Sequence, residues 1–122
     1  MAATELNIQK SPDFGVATEA ALKTAFTKAL NGTDGGVIPW NVRDEKVILF
    51  IENANTSAAK VVTVKAGNGI QGVNDLDVEI AASSYILLAL ESGRFKNVSG
   101  EHKGKVVLSG PADIKVAVLR LP

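Results

Sequence analysis

The sequence predicts a mainly β fold: an antiparallel β-sandwich or jelly roll with one short N-terminal helix. Three observations point to it. Runs rich in β-branched and aromatic residues recur at spacings of roughly ten residues, the rhythm of short strands in a sandwich or barrel. Gly, Asn and Pro stand between those runs, where turns need positive φ, a fixed φ or a side chain that hydrogen-bonds its own backbone. Only one stretch has the helical period, whereas a doubly wound parallel sheet alternates strands with helices. The 122 residues make one domain, which at this size buries about two-thirds of the surface its unfolded chain exposes. The expected organisation is an N-terminal arm over 1–17, then a single β-sandwich domain over 18–122 that includes a helix over 18–30.

At the N-terminus, Glu5 to Gln9 alternates polar and apolar residues and reads as a short edge strand before the turn signal Ser11-Pro12-Asp13. In the segment that follows Thr18, Leu22, Ala25, Phe26, Ala29 and Leu30 recur at spacings of three and four, with Lys23, Thr24, Thr27 and Lys28 on the other side. This spacing predicts the helix, with Thr18 as N-cap and Asn31-Gly32 as its stop. Asn31 to Gly36 is a loop of high backbone freedom, and Val37-Ile38-Pro39-Trp40 leads into the centre of the chain.

That centre is Lys46 to Lys65. Val47, Ile48, Leu49, Phe50 and Ile51 form a continuous apolar run too short for a helix, which reads as a strand buried on both faces. Val61 to Val64 is a second run, and the break from Asn53 to Ser57 is rich in turn-forming side chains. The pair is expected to be a hairpin with a loop longer than two residues.

Beyond it, Gly67, Gly69 and Gly72 spell G-x-G-x-x-G directly after a strand. A dinucleotide site needs those glycines to open a helix whose N-terminus holds the pyrophosphate. Here Leu76 to Ile80 follows with strict alternation, a half-exposed strand, so the glycines read as loop punctuation. Ala82-Ser83-Ser84 is a small-residue corner before the apolar run Tyr85 to Leu90, and Glu91 to Lys96 breaks the pattern. Lys105 to Leu108 and Ile114 to Leu121 are the last two strands, joined through Gly110 to Asp113.

Composition limits the chemistry. Thirteen basic and thirteen acidic residues give a formal net charge of zero, so no long-range field gathers nucleic acid or an anionic membrane surface. The chain has no cysteine, which removes disulfides, thiolate metal sites and thiol nucleophiles. No apolar run reaches the length of a membrane span, and the first residues lack the basic and apolar regions of a signal peptide. Sequons at Asn31, Asn55 and Asn97 therefore read as coincidences of Asn-rich loops. The hydrophobic fraction of 46% is high for so small a domain and points to a subunit interface.

No catalytic set emerges. The single histidine, His102, lies in a polar loop, and no serine occupies a G-x-S-x-G elbow. One histidine without cysteine is a poor start for a zinc site. Asp77 and Glu79 fall on one face of a strand where a calcium ion could bridge them, yet the solvent face of an amphipathic strand needs the same residues. Lys103 and Lys105 beside Gly104 lack the glycine spacing and the hydroxyl residue of a P-loop. The expectation is a protein that is not an enzyme, with no metal and no cofactor.

The order of these pieces carries a resemblance. KVILFIENANTSAAKVVTVKAG, an alternating strand, a small-residue turn, an apolar strand, the aromatic in ESGRFKN and the closing GKVVLSGPADIKVAVLRLP together resemble small virion structural proteins of tailed bacteriophages, of the capsid decoration or cementing type. The similarity runs from about Lys46 to Pro122, and the segment from Thr18 to Leu30 departs from it. It implies a β-sandwich that binds and stabilises the lattice of the major capsid protein as a homotrimer. Such a protein is made in the host cytoplasm and sits on the capsid surface. Phe14, Trp40 and Phe95, apolar residues beside breaks in the pattern, are the candidate partner contacts. A tail, neck or head-fibre component would need the same scaffold. From another class, a carbohydrate-binding module would use Trp40 and Tyr85 as stacking platforms, although an aromatic content of 5% is low for that task.

Overall fold

The computed structural model describes residues 3–6, 8–10, 28–40, 47–69, 72, 74–90 and 92–120. Within them the strands are β1 (Thr4–Glu5), β2 (Ile8–Lys10), β3 (Lys28–Ala29), β4 (Gly36–Pro39), β5 (Val47–Asn53), β6 (Lys60–Val64), β7 (Leu76–Ile80), β8 (Tyr85–Leu88), β9 (Lys105–Ser109) and β10 (Ile114–Arg120), with one short helix, α1 (Ser92–Phe95). The fold is mainly β, as the turn-separated apolar runs predict. The strands form two sheets, ordered β1-β4-β9-β6-β7 and β2-β10-β5-β8, and β3 also pairs with β10. Pairing is antiparallel except where β1 lies parallel to β4 and β2 parallel to β10.

β5 is the centre of the second sheet. It runs against β10 from Ile114↔Asn53 to Arg120↔Val47 and against β8 from Leu49↔Leu88 to Glu52↔Tyr85. Val47, Leu49 and Ile51 join Ile114, Val116 and Val118 of β10 in the core, where Ile38, Val62, Val64, Val106 and Leu108 of the other sheet meet them. Phe50, Ala117 and Leu119, which alternate with those residues, are buried as well. β5 is therefore shielded on both faces, which is why it reads as an unbroken apolar run rather than as alternation. In the first sheet β7 does alternate: Leu76 and Val78 pack against the core while Asp77 and Glu79 face solvent.

Two expectations are corrected. β5 and β6 are not a hairpin, because β5 belongs to the second sheet and β6 pairs with β7 and β9 in the first. The turn-rich residues between them carry the chain from one sheet to the other. Turn chemistry reports that the chain reverses, but not which strand it then meets. The expected helix over 18–30 fails at its C-terminal end; 18–27 lies outside the described residues. Lys28 and Ala29 are strand, paired with Val116 and Lys115. The Leu30 amide donates to the Ile114 carbonyl (3.0 Å), and the Ala29 carbonyl accepts from Thr4 Oγ1 (2.9 Å). Leu30 is buried in the core, so an apolar position read at helical spacing is satisfied by cross-strand contacts instead.

The loop read after it is a tight turn. Asn31 Oδ1 accepts from the Thr33 and Asp34 amides, and Asn31 exchanges backbone hydrogen bonds with Gly35, whose φ of 72° suits glycine. Val37 to Pro39, read as a lead-in, is part of β4. Of the expected N-terminal arm, the described residues pair into both sheets, and Leu6 is buried in the core.

Candidate functional site

The surface with the clearest capacity for association is the edge strand β8. Ala81 to Ser84 forms the corner that delivers it: the Ser84 amide donates to the Ala81 carbonyl (3.2 Å), and Ser83 adopts φ 55° with its amide on the Asn55 carbonyl (2.9 Å). The small side chains read at this corner permit the tight reversal. From there Tyr85, Ile86, Leu87 and Leu88 run antiparallel to β5.

The Asn53 amide donates to the Ser84 carbonyl (2.9 Å), which makes 53↔84 a hydrogen-bonded pair of the ladder. By the alternation of such ladders, Ile86 and Leu88 also direct their backbone groups at β5, and Tyr85 and Leu87 direct theirs away from it. Among the described residues no strand lies on that outer side. The side chains of Tyr85 and Leu87 are exposed too, at 44% and 59%. The Tyr85 ring rests 4.7 Å, centroid to centroid, from that of Phe50, which is fully buried. Tyr85 thus packs part of its ring against a buried aromatic while the rest stays exposed.

Of the residues singled out from the sequence, Phe14 lies outside the described residues. Trp40 is 3% exposed, and its amide donates to the Gly104 carbonyl (3.0 Å). Phe95 is also 3% exposed; it closes α1 onto the core, with the Arg94 guanidinium 5.3 Å from its ring centroid. Both aromatics sit beside breaks in the pattern, yet they point inward and offer little surface to a partner. The same burial takes Trp40 away from the paired sugar platform with Tyr85. Leu87 was not marked out by sequence reasoning. The available signal was the lack of any charge among the ten residues from Ala81 to Leu90.

Two carboxylates at the start of β7, Asp75 and Asp77, hydrogen-bond within the fold. Asp75 accepts from the Ala66 amide (2.6 Å) and from Lys65 Nζ (3.4 Å), and the Ala66 hydrogen bond, with the Lys65 charge, holds its carboxyl below the usual carboxylate range. Asp77 accepts from Thr63 Oγ1 (2.7 Å) across the β6–β7 pair. Among the described residues no group of three His, Asp or Glu side chains could hold a metal ion.

The glycines of G-x-G-x-x-G shape a loop. A side chain on Gly67 would collide with the Lys96 carbonyl, and the Gly67 amide donates to the Arg94 carbonyl (2.9 Å). A cleft of about 430 Å³ is bordered by Glu5, Asp34, Val37, Glu101, His102 and Lys105. There His102 Nε2 lies 3.8 Å from Glu101 Oε1 on an exposed turn.

Comparison with known protein families, with curated proteins and with solved structures finds no match to this chain. Among the described residues no helix is long and apolar enough to cross a membrane.

Proposed function

We propose that this protein is a non-enzymatic structural component of a tailed-phage virion, a capsid decoration protein whose partner is the major capsid protein lattice. The reading takes the two sheets as a β-sandwich of jelly-roll type, works without cofactor, nucleic acid or membrane, and places the protein on the capsid surface after synthesis in the host cytoplasm. The observation that carries it is the β8 edge: an uncharged strand with Tyr85 and Leu87 exposed side by side on a two-sheet scaffold with a buried core. Decoration demands this combination, a rigid body that keeps its shape under load and an apolar surface reserved for association. The sequence resemblance supplies the rest, including assembly as a homo-oligomer, for which it implies a trimer.

A heat challenge tests the proposal. Capsids lacking the protein are incubated with it in excess and heated beside undecorated controls. Decorated capsids are expected to release their contents at a higher temperature; identical release profiles would sink the reading.

A further inference from the structure

We infer that Asn68 is a spontaneous modification site: its side-chain amide cyclises onto Gly69 and hydrolyses to aspartate or isoaspartate, and the change unfastens Val98 and Ser99 from the loop that holds them. The inference is independent of the decoration reading.

The chemistry begins in the sequence. Asparagine is a thermolabile amide, and a glycine after it, having no Cβ, leaves its own nitrogen the freest approach to the asparagine Cγ. Two such pairs occur, Asn31-Gly32 and Asn68-Gly69. At the second pair the Gly69 nitrogen gives up its proton and bonds to Asn68 Cγ. The Cγ–Nδ2 bond breaks, and Nδ2 leaves as ammonia with that proton. Water then opens the cyclic imide. Opening at Cγ gives aspartate, and opening at the main-chain carbonyl of residue 68 gives isoaspartate, whose backbone runs through Cγ.

The fold separates the two pairs. Asn31 is fixed in a tight turn: Oδ1 accepts from the Thr33 and Asp34 amides (2.9 and 3.0 Å), and its backbone exchanges hydrogen bonds with Gly35 (3.0 and 2.7 Å). An aspartate there keeps the acceptor that the turn uses. Asn68 instead clasps a second loop, about thirty residues further along the chain. Its Oδ1 accepts from the Val98 amide (2.7 Å), and its Nδ2 donates to the Ser99 carbonyl (3.0 Å). Both bonds lie at the exposed surface, where contacts open locally while the core stays folded, and each opening frees Cγ for attack. Conversion removes the donor. A carboxylate oxygen then stands against the Ser99 carbonyl oxygen, and the two repel. The released residues lead into the turn that carries Glu101 and His102, which border the cleft described above.

The test is incubation of the full chain in mildly alkaline buffer, followed by digestion and mass spectrometry of the peptides holding Asn31 and Asn68. A urea-unfolded sample, in which both pairs convert, runs alongside. The folded chain is expected to convert at Asn68 before Asn31, and faster as the pH rises. Gly69→Ala, whose new Cβ lies 3.4 Å from the Val98 side chain, is expected to slow conversion at Asn68. The converted chain, separated by its extra negative charge, is expected to exchange the Val98 amide hydrogen about tenfold faster than the unconverted chain. A folded chain that stays intact at Asn68 while the unfolded sample converts overturns the inference, as does conversion at Asn31 first. A converted chain whose Val98 amide exchanges at the original rate overturns the release of the loop.

Discussion

Asn53 Nδ2 donates to the Ile80 carbonyl at 3.0 Å, joining the end of β5 in one sheet to the end of β7 in the other, and Asn53 is fully buried. The same nitrogen lies 3.0 Å from the Ala58 carbonyl, while Asn53 Oδ1 accepts from the Asn55 amide (2.9 Å). Asn55 in turn reaches Asp113 Oδ2 (3.4 Å) in the β9–β10 connection. Three passages between the sheets, 54–59, 81–84 and 110–113, are thereby tied together at one end of the molecule. This cluster of amides holds the corner from which β8 emerges.

Replacing Asn53 by alanine leaves the Ile80 carbonyl, in a buried site, and the half-buried Asn55 amide without this partner. A loss of about 2–4 kcal/mol is expected, read as a lower urea midpoint. Asn53→Asp keeps the shape but turns a carboxylate oxygen toward carbonyl oxygens, and should destabilise at least as much. An Asp variant as stable as wild type would show that these hydrogen bonds do not hold the corner.

Gly67→Ala drives a methyl group into the Lys96 carbonyl, whose carbon is only 2.9 Å from the new atom. Backbone is the obstacle, so no side chain can swing aside. A destabilisation of about 1–3 kcal/mol is expected, whereas a neutral result would mean that the loop re-forms elsewhere.

Phe95→Ala distinguishes a core residue from a partner contact. Packed at 3% exposure, Phe95 should cost about 3–5 kcal/mol on truncation, and thermal unfolding of the isolated chain reads that loss. Full stability together with loss of capsid binding would restore Phe95 as a contact. Trp40, buried to the same degree, is expected to behave likewise.

Asp75 gives the acid side of the stability profile a marker. Its folded pKa is depressed by the Ala66 amide and Lys65, so the folded chain binds this proton less readily than the unfolded one. Its contribution is complete above the unfolded carboxylate pKa of about 3.9 and is lost as the pH falls from there through the lower folded value. Asp75→Asn should remove that pH dependence below about pH 4 and leave the rest of the profile parallel to wild type. An unchanged acid limb would contradict the assignment.

Much of the strand content was legible in the sequence, and the reason differs by element. Val47 to Ile51 was read as buried on both faces because a continuous apolar run has that one simple explanation in a sheet, and Phe50 and Leu49 fill opposite sides accordingly. Leu76 to Ile80 was read from its alternation. Sheet membership was not legible: the side chains of Asn53 and Asn55 turn the chain whichever sheet comes next, and only their bonds to Ile80 and Asp113 reveal the crossing. Two of the candidate contacts show a related effect. Trp40 and Phe95 stand beside loops in sequence, but loop neighbours can face either way, and at these two positions they face inward. Deleting the first fifteen residues, an attractive test of an N-terminal arm, would also remove β1, β2 and the core residue Leu6. Substitutions on β8 are the cleaner probe.

The most direct measurement is occupancy. Capsids lacking the protein are titrated with it, sedimented, and the bound protein is quantified against the major capsid protein. Decoration predicts binding that saturates at a fixed ratio set by the lattice, and full stability of the unbound chain throughout. Protein that stays in the supernatant at every concentration, or that accumulates without a plateau, would contradict it.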